Sequence, residues 1–210
     1  MDSLSSAAAN RHQRRREATA DRLVEAAAAL FGERGVESTK VSDICAHADV
    51  AHQTFFNHFP TKQDLVRELV RRGHDFVLAA IETALRESTS TEERIARLFA
   101  EIHSAASAVG PMHQDLVSAG IRAAHEVSDP ARVSELHRAL GRVVRAGRAQ
   151  GDVTRRHAAE DQVALLVGAL SQLMFEWAHR RDFPIAERSA RMARLLADAL
   201  APRPGERPRP

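Results

Sequence analysis

Between His52 and His58 the sequence reads HQTFFNH. A solvated helix face of this length normally carries Lys, Glu or Arg, but here the polar positions are imidazoles, amides and a hydroxyl that both donate and accept hydrogen bonds. Gln and Asn match the donor–acceptor pair on the major-groove edge of adenine, and an aromatic ring can lie on a thymine methyl. His52, Gln53, Thr54, Phe56 and Asn57 are therefore candidates for reading base edges. Thr39, Lys40, His58 and Lys62 are candidates for holding the phosphate backbone, and Lys40 and Lys62 are the only lysines in the chain.

Other chemistry is poorly supported. His103, His113 and His125 stand ten and twelve residues apart, which matches no compact metal-ligand motif. With Asp115 they define the alternative of an all-α metal-dependent enzyme or metal sensor, but no metal, cofactor or catalytic residue is assigned. The single Cys45 permits no internal disulfide and fits a reducing compartment. Nothing near it marks a reactive thiol, so it is expected to fill space.

The elements that must position these residues are helical throughout. Leu23, Val24, Ala27, Leu30 and Phe31 recur at helical spacing from about Thr19, and Gly35 supplies a stop. A second helix is predicted over Val41 to Ala48 with Thr39 as N-cap, and a third over His52 to His58, ended by Pro60. Thr61 caps a fourth helix over 62–87, roughly 39 Å long at 1.5 Å per residue. Gly73 lies inside it, where close packing against a neighbour is the expected reason for a residue that costs about 1 kcal/mol relative to Ala, with a bend or hinge the alternative. Further helices are predicted over Thr91 to Ala108, from Pro111, over Pro130 to Gln150, over Ala158 to Arg180 and over Pro184 to Leu200. The fold class is all-α: an N-terminal three-helix helix-turn-helix domain, then a C-terminal helical bundle, about nine helices in total.

Residues 1–16 are expected to form a flexible arm ending in the basic run RHQRRR, and 201–210, rich in proline, a disordered tail. Overall, 30 Lys and Arg face 28 Asp and Glu, a net charge of +2. A balance so close to neutral argues for no polyanion by itself, so any attraction must come from local placement. No apolar run approaches bilayer length, and a cytoplasmic location without membrane contact is expected.

The stretch RLVEAAAALFGERGVESTKVSDICAHADVAHQTFFNHFPTKQDLV resembles the DNA-binding domain of the TetR family of transcriptional regulators. The matching positions are Ala27, Phe31, Gly35, Thr39, Val41, Ile44, Ala48, Val50, Thr54, Phe59, Lys62 and Leu65, within residues 17–65. Three positions depart from the family's pattern: Asp49 replaces the usual turn glycine, Ala51 the usual serine cap, and Phe56 a tyrosine. These bear on which operator is read. The resemblance implies a non-enzymatic repressor that binds an inverted-repeat operator as a homodimer. It also places the basic arm where it can reach flanking backbone or minor groove, with a plain solvated tail the alternative.

Beyond Gly73 the resemblance is architectural. It implies that residues 75–200 hold a dimerisation bundle and a site for an unknown small, apolar or amphipathic effector. Phe76, Phe99, His103, Met112, His113, Leu116, Phe175 and Trp177 are candidate lining residues. The sequence adds its own sign of a dimer: Val163, Val167, Leu170 and Met174, with Ile185, Ser189, Met192 and Leu196 in the last helix, step by threes and fours like a packing seam. Intrachain core is the alternative for that seam. A C-terminal domain that recruits a protein partner instead of a ligand is the other functional alternative.

Overall fold

A computed structural model describes residues 2–109, 130–180 and 182–203. Among them are eight helices and no strand. They are α1 (Asp2–Arg34), α2 (Val41–His47), α3 (His52–His58), α4 (Lys62–Glu87), α5 (Thr91–Val109), α6 (Pro130–Gln150), α7 (Ala159–His179) and α8 (Ile185–Leu200). The helix expected from Pro111, and Met112, His113, Asp115, Leu116 and His125 with it, lie outside the described residues, as do the last residues of the tail.

Local signals explain the boundaries. Gly35 takes a φ of 81°, and its amide donates to the Phe31 carbonyl at 2.9 Å, a left-handed stop that glycine adopts without a side-chain penalty. Thr61 caps α4: its hydroxyl accepts from the Asp64 amide while the Asp64 carboxylate accepts from the Thr61 amide. The turn between α2 and α3 puts Asp49 at a φ of 51°, a conformation that Asp tolerates better than most residues with a side chain.

Two expectations at the N-terminus change. The helix expected from Thr19 begins at Asp2, so the run expected as a flexible arm continues α1. Alanine and arginine are strong helix formers, and residues 10–18 are exposed on every side, so no packing stripe marks that stretch for hydropathy periodicity to detect. The N-cap of α2 is Lys40, not Thr39.

The buried side chains fall into two groups. One joins α1, α2, α3 and the start of α4 through Leu23, Ala27, Phe31, Ile44, Phe55 and Leu65. The other begins at Ala80 and Ile81 and gathers α5, α6, α7 and α8 around Phe99, Leu140, Val144, Leu170 and Leu196. Each fully buried large side chain adds about 1.5–3 kcal/mol. Helix α4 belongs to both groups, and Gly73 sits between its two buried stretches. A Cβ there would meet nothing within 4 Å, so close packing is not the reason for that glycine. Close packing does govern Gly147 in α6, where a Cβ would lie 2.2 Å from the Thr91 hydroxyl and 2.4 Å from Val153. There Asp152 accepts from both the Thr91 amide and hydroxyl, tying the loop after α6 to the start of α5.

The seam expected to form the dimer is reassigned. Val163, Leu170, Ile185 and Leu196 are buried within the chain, and Val167, Met174 and Met192 pack against the same core. Helix α7 is apolar on more than one side, so its spacing alone cannot say which stripe faces the chain's own core.

Candidate nucleic-acid interface

Helix α3 is held by one anchor. Phe55 is fully buried, and its neighbours on the outer side, His52, Gln53, Phe56 and Asn57, are exposed. Phe55 meets Phe56 edge-on at 5.3 Å and Phe59 at 6.0 Å between ring centroids. Burial of every third or fourth residue thus turns the polar ones outward. Thr54 and His58 are half-buried at the margins. On the outer face Gln53 donates from Nε2 to the Asn57 Oδ1 at 3.3 Å, and His52 meets Phe56 edge-on at 5.1 Å. The sequence thus brings five base-reading candidates onto one short helix, four of them exposed.

Ala51 is the N-cap of α3 and offers no side-chain bond. The first amides of that helix therefore have no side-chain cap.

The phosphate candidates divide. Lys40 is exposed at the start of α2, its amide bonded to the Asp43 carboxylate at 3.4 Å. Thr39 is corrected: it is 1% exposed, and its hydroxyl donates to the Gly35 carbonyl at 2.8 Å and the Leu30 carbonyl at 3.3 Å. It therefore pins the loop after α1 and does not reach a backbone phosphate. Lys62 is half-buried, and its Nζ donates to the Val36 carbonyl at 2.8 Å and the Thr39 carbonyl at 3.2 Å. Two of its three donors are thus spent inside the chain. His58 has its pKa pushed down, first by burial and then by the nearby Arg16 charge, which favours the neutral ring.

Cys45 is buried in α2, and burial raises its thiol pKa, so it behaves as an apolar side chain. Among the described residues no group of three His, Cys, Asp or Glu side chains could hold a metal ion. No described helix is long and apolar enough to cross a membrane.

Among the described residues of the C-terminal region, two of the expected lining residues come together. Phe99 and His103 of α5 border a cavity of about 300 Å³ closed on the other side by Ser189, Ala193 and Arg194 of α8. The Ser189 hydroxyl is buried and has no hydrogen-bond partner among the described residues. Sequence spacing placed Ser189 in a packing seam and could not show this. Trp177 belongs to the core. Phe76 and Phe175 are corrected: they are 40% and 47% exposed, because α4 and α7 bury their opposite faces.

Residues 23–69 match the family model of bacterial regulatory proteins of the tetR family. This segment is a TetR-type domain. A stretch of 77 residues is 35% identical to the HTH-type transcriptional repressor KstR2 of Mycobacterium tuberculosis, covering 37% of this chain and 38% of that repressor. The sequence match therefore spans well under half of the curated relative. The fold extends further: the solved structure of ketosteroid transcriptional regulator KstR2 of Mycobacterium tuberculosis superposes with a TM-score of 0.62 at 20% identity, covering 87% of this chain and 95% of that one. FadR of Bacillus subtilis, solved in complex with stearoyl-CoA, gives a TM-score of 0.64 at 15% identity over 85% of this chain and 98% of that one. At such identities the likeness concerns fold. Within the TetR-type domain, α3 occupies the second-helix position of the helix-turn-helix motif.

Proposed function

We propose that this chain is a non-enzymatic, ligand-responsive transcriptional repressor that binds an inverted-repeat operator as a homodimer. Residues 17–65 would bind DNA, residues 75–200 would bind effector and dimerise, and α4 would link the two. The observation that carries this is the outer face of α3, with His52, Gln53, Phe56 and Asn57 exposed on a TetR-type domain. In this reading Lys40 holds phosphate, and Thr54, His58 and the remaining donor of Lys62 lie at the margin of the contact.

The dimer rests on a different stripe from the one that spacing suggested. Ala164, Leu165, Gly168, Gln172 and Phe175 form an exposed line on α7, and Leu195 and Ala199 are exposed on α8. Leu165 is 46% and Leu195 62% exposed, and a Cβ at Gly168 would meet nothing within 4 Å. Large apolar side chains beside a bare glycine suit close approach of a second helix pair. Two helices from each chain then make a symmetric four-helix interface.

For the effector, the α5–α8 cavity with Phe99, His103 and the unpartnered Ser189 hydroxyl is the favoured site. Its volume lies at the small end for ligand sites, which favours a small amphipathic molecule, or one part of a longer ligand such as the acyl-CoA named with the Bacillus subtilis structure.

The test is selection of duplexes from a random pool by the full chain, followed by titration. An inverted repeat bound at two chains per duplex is expected. An effector should weaken that binding about 5–150-fold, and operator should weaken effector binding by the same factor. Selection of no common sequence would overturn the reading.

A further inference from the structure

The arginines of this chain differ in how they are neutralised. On α4, Arg71 pairs with Glu68 and Asp75, Arg72 with Glu68 and Asp21, and Arg67 with Asp64. Arg11, Arg14, Arg15 and Arg16 of α1 are all exposed, and none is paired with an acidic side chain among the described residues. The nearby Glu17 instead accepts from Gln13 Nε2 at 2.7 Å. Four unneutralised guanidinium groups within six residues make a strongly cationic stretch in a chain whose net charge is only +2.

The helix sets where this charge sits. Arg16 precedes Ala20 by four residues and Leu23 by seven, so it continues the core-facing stripe of α1 one turn beyond the buried residues. That direction leads to the C-terminal end of α3, where the Arg16 charge helps hold down the His58 pKa. The other three arginines then lie further along the same rigid rod. From Ala20 to Arg11 is about 14 Å at 1.5 Å per residue, which is about four base pairs along a duplex at 3.4 Å each.

We propose that Arg11, Arg14, Arg15 and Arg16 form a helical arm, continuous with the DNA-binding unit, that grips the phosphate backbone of duplex DNA just outside the segment read by α3. This rests on the DNA-binding reading above and adds a partner surface to it. An arm built as a helix differs from a tail: its cations hold a fixed register against the duplex, so the contact depends on how far the duplex extends. Guanidinium groups suit the task, since each presents a planar fork of donors to phosphate oxygens.

The experiment uses the full chain and the duplex obtained by selection, in long form and trimmed by four base pairs at each end. For the wild type, trimming should weaken binding. The variant with all four arginines changed to Gln should show a slope of log affinity against log salt shallower by about 2 to 4 per subunit, near 0.9 for each phosphate no longer neutralised, and should be indifferent to trimming. Glu17→Pro, which interrupts the helix between arm and domain, should also lose the dependence on trimming, with Glu17→Ala as its charge control. In free protein, Arg16→Gln should raise the His58 pKa followed by NMR. Equal salt slopes for wild type and the fourfold variant would overturn the arm while leaving DNA binding intact. Retained dependence on trimming in Glu17→Pro would overturn its helical character. A wild type that binds no duplex would overturn the DNA-binding reading itself, and the arm with it.

Discussion

Gln53 and Asn57 hold one another in the free chain, amide to amide at 3.3 Å. Both side chains are exposed, so a base edge competes with a modest bond between exposed groups. Gln53→Ala should therefore cost about 1–3 kcal/mol at particular base pairs and relax preference there. Lys40→Ala should weaken every duplex alike and reduce the salt slope by about 0.9. Competition titrations against duplexes changed one base pair at a time separate the two; identical, sequence-independent losses would remove Gln53 as a reader. Ser189 makes a second case at this scale. A buried hydroxyl without a partner gives no net stabilisation, so Ser189→Ala should leave thermal stability unchanged or slightly higher. If the hydroxyl serves a ligand, the same change should weaken effector binding about two- to tenfold, the usual worth of one hydrogen bond. Calorimetric titration of an effector showing unchanged affinity would move the site elsewhere.

Among the elements, α4 carries most of the consequence. It belongs to both cores, and Gly73 lies between them with open space where a side chain would go. Gly73→Ala should therefore stabilise the chain by about 0.5–1 kcal/mol, because helix propensity improves without a clash. If bending at this point lets the two ends of α4 move independently, the same variant should alter the effector-induced loss of DNA affinity. Thermal unfolding checks the first effect and paired titrations the second. Just upstream, Glu68 is bound by both Arg71 Nε at 2.7 Å and Arg72 Nε at 2.9 Å. The Arg71 hydrogen bond chiefly lowers its pKa, against the opposing effect of burial, with Arg72 adding to the lowering. A carboxylate depressed in the folded state stabilises above its unfolded pKa and loses that contribution as pH falls through its folded value. Glu68→Gln should thus be less stable than wild type at neutral pH, with the gap closing in acid below the ordinary glutamate range. Urea unfolding across pH would show it; a gap independent of pH would mean that the ion pairs contribute nothing.

At the level of the assembly, the proposed dimer surface is the one α7 and α8 leave uncovered. Leu165, Phe175 and Leu195 are the large apolar groups exposed there. Leu195→Glu should give a folded monomer that binds an inverted repeat weakly, because the charge loses water on association but not on folding. Leu170→Glu, by contrast, places the charge inside the chain's own core and should unfold it. Sedimentation of the Leu195 variant as an intact dimer would show that the partner docks elsewhere.

The amino-acid sequence alone determined the helices that carry the candidate DNA face. Gly35, Pro60 and the Thr61–Asp64 cap act within one turn of themselves, so α2, α3 and the start of α4 were legible from neighbouring residues. The outward set on α3 followed from one anchor, Phe55, and from a family pattern confined to that region. The other assignments depend on partners far along the chain. Thr39 and Lys62 look like polar surface groups until Lys62 is seen to reach carbonyls 26 and 23 residues away. The seam of Val163 and Leu170 and the stripe of Leu165 and Phe175 have the same helical period on the same helix. Period identifies stripes, but which stripe meets the core is fixed by where α5, α6 and α8 stand.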